Sequence, residues 1–141
     1  MIIAVIDAQG AGIGMAIIAE IRKSFGKDPV VYALGTNDTA CLNMKKSGAN
    51  GAVCGSDNII RFMKSRSIDC LIGPMGIISS GGIKGEITPE LSNTIFDSQC
   101  RKYIIPLDMH GVYIPGTRSM KIKDSISEII GDIRNTFGAN E

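Results

Sequence analysis

The chain has 141 residues, of which 44% are hydrophobic and 21% charged, which is the size and composition of a single globular domain. Its net charge of +1, the lack of any basic run longer than two residues and an aromatic content of only 5% argue against nucleic acid binding. No apolar run reaches the length of a membrane span and no basic leader precedes the first strand, so we expect a cytoplasmic protein with no membrane partner.

Four cysteines stand far apart in the chain. They are Cys41, Cys54, Cys70 and Cys100, and no two of them form the C-x-x-C pair that is typical of metal sites and dithiol chemistry. Cys54 and Cys70 fall within apolar, strand-like runs, where cysteine usually acts as a small buried hydrophobe. We therefore expect four reduced cysteines and no metal site.

The first half of the chain alternates short apolar runs with amphipathic spacing. Ile2–Ile6 is a continuous apolar run typical of a strand buried on both faces. Isoleucines at 13, 17 and 21 and a phenylalanine at 25 predict a helix that ends near Gly26. The pattern then predicts a strand over Val30–Leu34, a helix from an Asn37 cap through Lys46, a strand over Ala52–Cys54, a helix capped by Ser56 or Asp57 and running to about Arg66, and a strand over Ile68–Ile72.

The second half begins with a glycine-rich stretch over residues 73–85. Thr88 followed by Pro89 predicts a helix start, because a hydroxyl can cap the helix and proline suits its first position. The remaining predictions are a helix end near Ser98, a fifth strand over Tyr103–Leu107, a short sixth strand over Val112–Ile114 and a last helix over Asp124–Phe137. The link between strands five and six is too short for a crossover, so a sixth strand would be antiparallel.

Strands that alternate with helices predict a mainly parallel sheet with right-handed crossovers. We therefore expect an α/β fold of the Rossmann-like, three-layer kind, with strand order 3-2-1-4-5 and the sixth strand at an edge. The sequence contains no linker, repeat or low-complexity segment. We expect a single domain over residues 1–141.

The turn between the first strand and the first helix has the composition of a ligand site. A helix N-terminus offers unpaired N–H groups and a partial positive charge, and glycines allow a phosphate to approach them. The turn could equally need its glycines only for a tight connection, because glycine motifs are weak signals. The residues that we predict to bind a cofactor here are Asp7, Gln9, Gly10, Gly12, Ile13 and Gly14.

Known nucleotide motifs match this turn only in part. The dinucleotide pattern G-x-G-x-x-G fits Gly10 and Gly12, but its third glycine falls on Met15. A short-chain dehydrogenase turn fits Gly12 to Gly14 with Ala8 in place of its first glycine, yet the Tyr-x-x-x-Lys of that active site is absent. A P-loop is excluded because no Gly-Lys-Ser/Thr follows.

Two further segments are expected at the same edge of the sheet, because the loops after strands one and four form the two walls of a Rossmann crevice. After the second strand, Thr36 and Asn37 stand where an NAD site usually has a carboxylate. They could bond a ribose or merely cap the next helix, and capping is the simpler role for Asn37. After the fourth strand, Gly73, Pro74, Met75 and Gly76 complete the predicted cofactor-binding set.

Three residues are candidates for catalysis. Asp108 and His110 follow the fifth strand, and His110 is the only histidine of the chain. Glu86 lies in the loop that follows the fourth strand. All three could instead be ordinary surface residues.

Several blocks together resemble a bacterial family, domain of unknown function 3842. They are V-I-D-x-Q-G-x-G-I-G at 5–14, A-L-G-T-N at 33–37, G-P-x-G-I at 73–77, G-E-I-T-P-E at 85–90 and I-P-L at 105–107. The resemblance covers most of the chain. It implies a Rossmann-like fold and supports the site at the first turn, but it implies no particular activity.

Three functions are compatible with these patterns. The first is a nucleotide-binding protein, with NAD(P) ahead of other nucleotides, that acts as a sensor or as a subunit of an assembly. The second is a small enzyme for a phosphorylated or carboxylated metabolite, using Asp7, Glu86, Asp108 or His110. The third is a non-catalytic interaction module. A homodimer is compatible with each of them.

Overall fold

The protein is described by a computed structural model over residues 1–138. Its elements are β1 (Ile2–Asp7), α1 (Gly12–Phe25), β2 (Val30–Gly35), α2 (Asp38–Lys46), β3 (Gly51–Cys54), α3 (Ser56–Ser65), β4 (Cys70–Pro74), a 3-10 turn (Met75–Ile78), α4 (Pro89–Asp97), β5 (Arg101–Ile105) and α5 (Ile122–Phe137). Within these residues, no helix has both the length and the apolar character needed to cross a membrane.

The five strands form one parallel sheet in the order β3-β2-β1-β4-β5. This confirms the predicted α/β class and strand order. The strand β1 lies at the centre, where it pairs with β2 on one side and β4 on the other. The loops after β1, β2 and β4 therefore meet at the same edge of the sheet, which we call the carboxyl edge.

Two hydrophobic cores separate the layers. One face of the sheet packs against α1, α2 and α5 through residues such as Ile17, Met44 and Ile130. The other face packs against α3 and α4 through residues such as Ile59 and Leu91. Since alternate β1 residues face opposite cores, the central strand has no solvent-facing side, which explains its continuous apolar run.

Side-chain caps begin two of the helices as the sequence predicts. Oδ1 of Asn37 accepts the Ala40 N–H at 2.8 Å at the start of α2, and Oγ1 of Thr88 accepts the Leu91 N–H at 3.1 Å at the start of α4. The predicted cap of α3 by Ser56 or Asp57 is wrong. That helix begins at Ser56 after Gly55, which has a positive φ of 91° and no side chain to accept a bond.

The predicted sixth strand is also wrong. Within the described residues, 112–114 pair with no strand, and 106–121 contain no helix or strand. The backbone instead closes short turns, with the Val112 N–H bonded to the Met109 carbonyl at 3.0 Å and the Thr117 N–H to the Ile114 carbonyl at 3.2 Å. These local turns use backbone N–H and carbonyl groups that a strand would bond to a neighbouring strand. The bounds of β4 and β5 each lie two residues from those predicted.

The expectation of four reduced cysteines is corrected by the structure. Cys41 and Cys54 form a disulfide, with Cα atoms 6.0 Å apart and a sequence separation of 13, and Cys54 is half-buried rather than buried. The first turn of α2 lies above the end of β3, which no C-x-x-C spacing would reveal. Cys70 and Cys100 are free thiols, and burial raises the pKa of Cys70 to about 12.

Candidate functional site

The turn after β1 has an unusual backbone. It closes with a hydrogen bond of 2.9 Å from the Ala11 N–H to the Ala8 carbonyl. Gln9 and Ala11 have positive φ angles of 51° and 57°, in the left-handed region that non-glycine residues seldom adopt. The helix α1 then starts at Gly12 without a side-chain cap.

Asp7 is the buried anchor of this turn, with 5% of its surface exposed. Its Oδ1 accepts the Ala8 N–H at 2.8 Å, and its Oδ2 accepts the Gly14 N–H at 2.8 Å. Burial raises the pKa of this carboxyl, although the two backbone hydrogen bonds oppose the shift. Each carboxylate oxygen thus accepts one backbone N–H of the turn or of α1, and contact between Asp7 and a ligand stays a prediction.

Three N–H groups of the turn point to no protein acceptor. Among residues 1–138, the amides of Gly10, Gly12 and Ile13 make no hydrogen bond. A Cβ added to Gly10 or Gly12 would have no heavy atom within 4 Å. The turn therefore combines unpaired donors with two exposed glycines, and unpaired N–H groups at a helix N-terminus can accept an anion.

Other predicted glycines have a packing role. A Cβ on Gly14 would lie 2.6 Å from the Met44 sulfur, and a Cβ on Gly73 would lie 2.7 Å from the Ile6 carbonyl oxygen. A Cβ on Gly76 would lie 2.7 Å from Cγ1 of Ile83. Close approach of elements is sufficient to explain these three glycines, and their contact with a ligand stays a prediction.

Glu86 reaches the turn after β1 from the loop that follows β4. Its Oε1 accepts hydrogen bonds from the Gln9 N–H at 3.1 Å, the Thr36 hydroxyl at 2.6 Å and the Asn37 side-chain amide at 2.9 Å. Among the described residues, its Oε2 has no partner. A carboxylate is thus held beside the turn and the end of β2.

The hydrogen bonds to Glu86 also determine its charge. Burial by itself would raise the pKa of this carboxyl, but the bonds from Thr36, Gln9 and Asn37 outweigh it and lower the pKa. Glu86 is therefore an ionised acceptor at neutral pH. An ionised carboxylate is suited to bind a hydrogen-bond donor and is poorly suited to act as a general acid.

The loop that presents Glu86, residues 79–87, is tied to itself and to the core. Its backbone bonds include the Gly81 N–H to the Ile87 carbonyl at 2.8 Å and the Glu86 N–H to the Ile83 carbonyl at 3.1 Å. Ile87 is fully buried against α3 and α4. We call this segment the Glu86 loop.

Asn37 and Asn43, on the side of α2, both bond to the turn after β1. In addition to capping α2, Asn37 donates its side-chain amide to the Gln9 carbonyl at 3.1 Å. Asn43 donates to the Gly10 carbonyl at 2.9 Å. Asn43 has no local sequence signal for this role, because the contact depends on the second turn of α2 lying beside Gly10.

The remaining predicted residues are not brought into this cluster by any hydrogen bond. Asp108 and His110 are exposed in residues 106–121, and their side chains make no hydrogen bond within the part of the chain described. Pro74 is buried at the end of β4, and Met75 is half-buried in the 3-10 turn. Their roles stay predictions.

A groove lies away from the carboxyl edge. It encloses about 920 Å³ near the starts of β4 and β5, between the ends of α3 and α4, and includes Arg66, Asp69, Asp97 and Arg101. Ligands of open parallel sheets bind outside the carboxyl ends of the strands, so size alone does not make this groove the better site. Within residues 1–138, no three His, Cys, Asp or Glu side chains cluster as metal ligands.

The fold has a known structural relative of the α/β class. The fold is similar to that of a solved structure, the dodecameric FMN-dependent Ubix-like decarboxylase from Escherichia coli O157:H7, with a TM-score of 0.55 and 11% sequence identity over 98% of this chain and 95% of that chain. At this identity the similarity concerns the α/β fold alone.

The family follows from the sequence match. Residues 2–138 match the family described as Domain of unknown function (DUF3842), and the chain belongs to that family. This confirms the resemblance drawn from the sequence blocks. A search of the curated proteins finds no match.

Proposed function

We propose that this chain is a nucleotide-binding domain of the Rossmann-like class, with an NAD(P)-type dinucleotide as the first choice of ligand. The observation that carries the proposal is that unpaired N–H donors and a fixed carboxylate acceptor lie at the same carboxyl edge of the sheet. The N–H groups of Gly10, Gly12 and Ile13 are open to an anion, while Glu86 holds a carboxylate at the end of β2.

These two features match the two polar parts of a nucleotide. A phosphate is stabilised by N–H groups at a helix N-terminus, and the hydroxyls of a ribose are donors that a carboxylate accepts. The donors follow β1 and the carboxylate lies at the end of β2, and these two strands are direct neighbours in the sheet. In this proposal the domain extends over residues 1–141, of which 139–141 lie outside the described residues.

The proposal assigns a binding role without a reaction. Of the candidate catalytic residues, Glu86 is an ionised, hydrogen-bonded acceptor, and Asp108 and His110 are exposed and without side-chain hydrogen bonds in the described part of the chain. We propose the role of a sensor, or of the nucleotide-binding subunit of an assembly.

FMN is the second candidate ligand. The solved structure with the similar fold is named as an FMN-dependent enzyme, and FMN also carries a phosphate and a chain of hydroxyl groups. The same donors and acceptor could bind it. The two candidates differ in their rings and in their hydroxyl-bearing portions, so they can be separated by direct comparison.

The test is a thermal-shift panel with NAD, NADP, AMP, ATP and FMN on the wild-type chain and on Gly12→Leu. A ligand at 100 times its dissociation constant stabilises the fold by about 2.7 kcal/mol, which raises the Tm by roughly 5–10 °C. We expect at least one nucleotide to raise the Tm of the wild-type chain. The same nucleotide should not raise the Tm of Gly12→Leu, which should still fold. No shift with any of them would contradict the proposal.

We also propose that the chain forms a homodimer through the segment after β5. That strand is an edge of the sheet. Large apolar side chains are exposed in and just after residues 106–121, namely Met109, Val112, Tyr113, Ile114, Met120 and Ile122, and burying them would favour association. Light scattering coupled to size exclusion should give twice the mass of the chain. A monomer at all concentrations would refute the dimer.

A further inference from the structure

We propose that Glu86 determines the ligand specificity of the site by accepting hydrogen bonds from the vicinal hydroxyls of an unphosphorylated ribose. The inference rests on the proposed function and makes it more specific, because it names the part of the nucleotide that this carboxylate recognises. It also assigns a residue that stands far in sequence from the end of β2, where an acidic residue is expected in dinucleotide sites.

The first argument is the difference between the two oxygens of Glu86. Oε1 receives three donors, at 2.6 Å from Thr36, 2.9 Å from Asn37 and 3.1 Å from the Gln9 N–H. Oε2 receives none from residues 1–138. One oxygen therefore fixes the carboxylate in place, and the other remains available to a donor from outside the chain.

The second argument is that the carboxylate is held rigidly. Its three donors come from the turn after β1 and from the end of β2, whereas Glu86 itself belongs to the Glu86 loop. The side chain of Asn37 is fixed in turn, because its Oδ1 accepts the Ala40 N–H at 2.8 Å. An acceptor whose position is set before the ligand arrives loses little entropy on binding.

The third argument is charge. No Lys or Arg among residues 1–138 forms an ion pair with Glu86; the one ion pair in that part of the chain joins Arg101 to Asp132. An uncompensated carboxylate accepts hydroxyl donors but repels a phosphate on the same ribose. Thr36 and Asn37 are neutral and offer no positive charge to a 2′-phosphate. The site should therefore prefer NAD to NADP.

The experiment compares ligands that differ only at the ribose. The affinities of AMP, 2′-deoxy-AMP, NAD and NADP are measured by calorimetry for the wild-type chain, for Glu86→Gln and for Glu90→Gln. Glu90 is the matched control, because it is exposed in the first turn of α4 and its side chain makes no hydrogen bond within the described residues.

The wild-type chain should bind AMP about 10- to 100-fold more tightly than 2′-deoxy-AMP, as expected when a hydrogen bond to a charged acceptor is lost. It should prefer NAD to NADP by at least about tenfold. Glu86→Gln should bring both ratios toward one, and Glu90→Gln should keep them. The ligand comparison needs the wild-type chain alone, so the ribose preference can be contradicted even if Glu86→Gln does not fold.

Two contrary results have different meanings. Equal affinities for AMP and 2′-deoxy-AMP, or binding of FMN alone, would overturn the ribose assignment and leave a nucleotide site in place. Failure of every nucleotide to bind would contradict the proposed function and this inference together.

Discussion

The Thr36 hydroxyl lies 2.6 Å from Oε1 of Glu86, although 50 residues separate the two in the chain. This bond joins the end of β2 to the loop after β4 across the end of β1, which lies between them in the sheet. It brings a carboxylate to the end of β2, where residues 34–37 have none. The proposed ligand specificity therefore depends on a contact made by the fold.

Replacing Thr36 with valine tests this bond with little change of shape. Thr36→Val removes one donor to an ionised acceptor, so we expect the free energy of unfolding to fall by about 1 kcal/mol and the pKa of Glu86 to rise. Urea denaturation measures the first effect. Thr39→Val is the control, because Thr39 is exposed on α2 and its side chain makes no hydrogen bond within residues 1–138. Equal losses in the two variants would contradict the role of Thr36.

The lowered pKa of Glu86 predicts a defined acid dependence of stability. Because the folded state lowers the pKa from about 4.5, ionised Glu86 stabilises the fold above that value. The contribution is lost as the pH falls through the folded-state pKa. We expect Glu86→Gln to show a smaller loss of unfolding free energy between about pH 5 and pH 3 than the wild-type chain, as measured by urea denaturation at each pH. An unchanged acid dependence in Glu86→Gln, with Glu90→Gln as reference, would refute the assignment.

Much of the fold could be predicted from local patterns. The apolar run of β1 and the cap residues Asn37 and Thr88 act over a few positions, and right-handed crossovers then leave few strand orders open. The patterns were less reliable at the ends of elements. Residues 112–114 are apolar enough for a strand, but glycines with positive φ at 111 and 116 favour turns there.

The site could be predicted only in part. The glycines of the turn after β1 can be recognised in the sequence because they lie between a predicted strand and a predicted helix. The link between Gln9 and Glu86 spans 77 residues, and the Cys41–Cys54 bond depends on how α2 lies over β3. Such contacts have no local signature, so the sequence indicates Glu86 only as a catalytic candidate.

Gly12 and Gly14 should respond differently to the same substitution. A Cβ on Gly14 would lie 2.6 Å from the sulfur of Met44, which is fully buried, and 3.1 Å from Cβ of Asp7. Gly14→Ala should therefore lower the free energy of unfolding by about 1–3 kcal/mol. Gly12→Ala meets open space at the start of a helix, so it should be neutral or stabilising by up to about 1 kcal/mol. Similar losses in both variants, measured in urea, would contradict this division of roles.

The disulfide predicts a thiol count. The unfolded chain should show two reactive thiols, Cys70 and Cys100, before reduction and four afterwards. Closing a loop of this length contributes about 2–3 kcal/mol, so a Cys41→Ala variant should be destabilised by that amount and Cys100→Ala by less. Four reactive thiols before reduction would show that the bond is absent in the isolated protein.

The most direct test of a nucleotide at the first turn is an NMR titration of the ¹⁵N-labelled chain with NAD. The account predicts that the amide signals of Gly10, Gly12 and Ile13 shift first and most, since their N–H groups would donate to the phosphates. Shifts confined to Arg66, Asp97 and Arg101 around the groove of about 920 Å³, or no shifts at millimolar NAD, AMP or FMN, would contradict it.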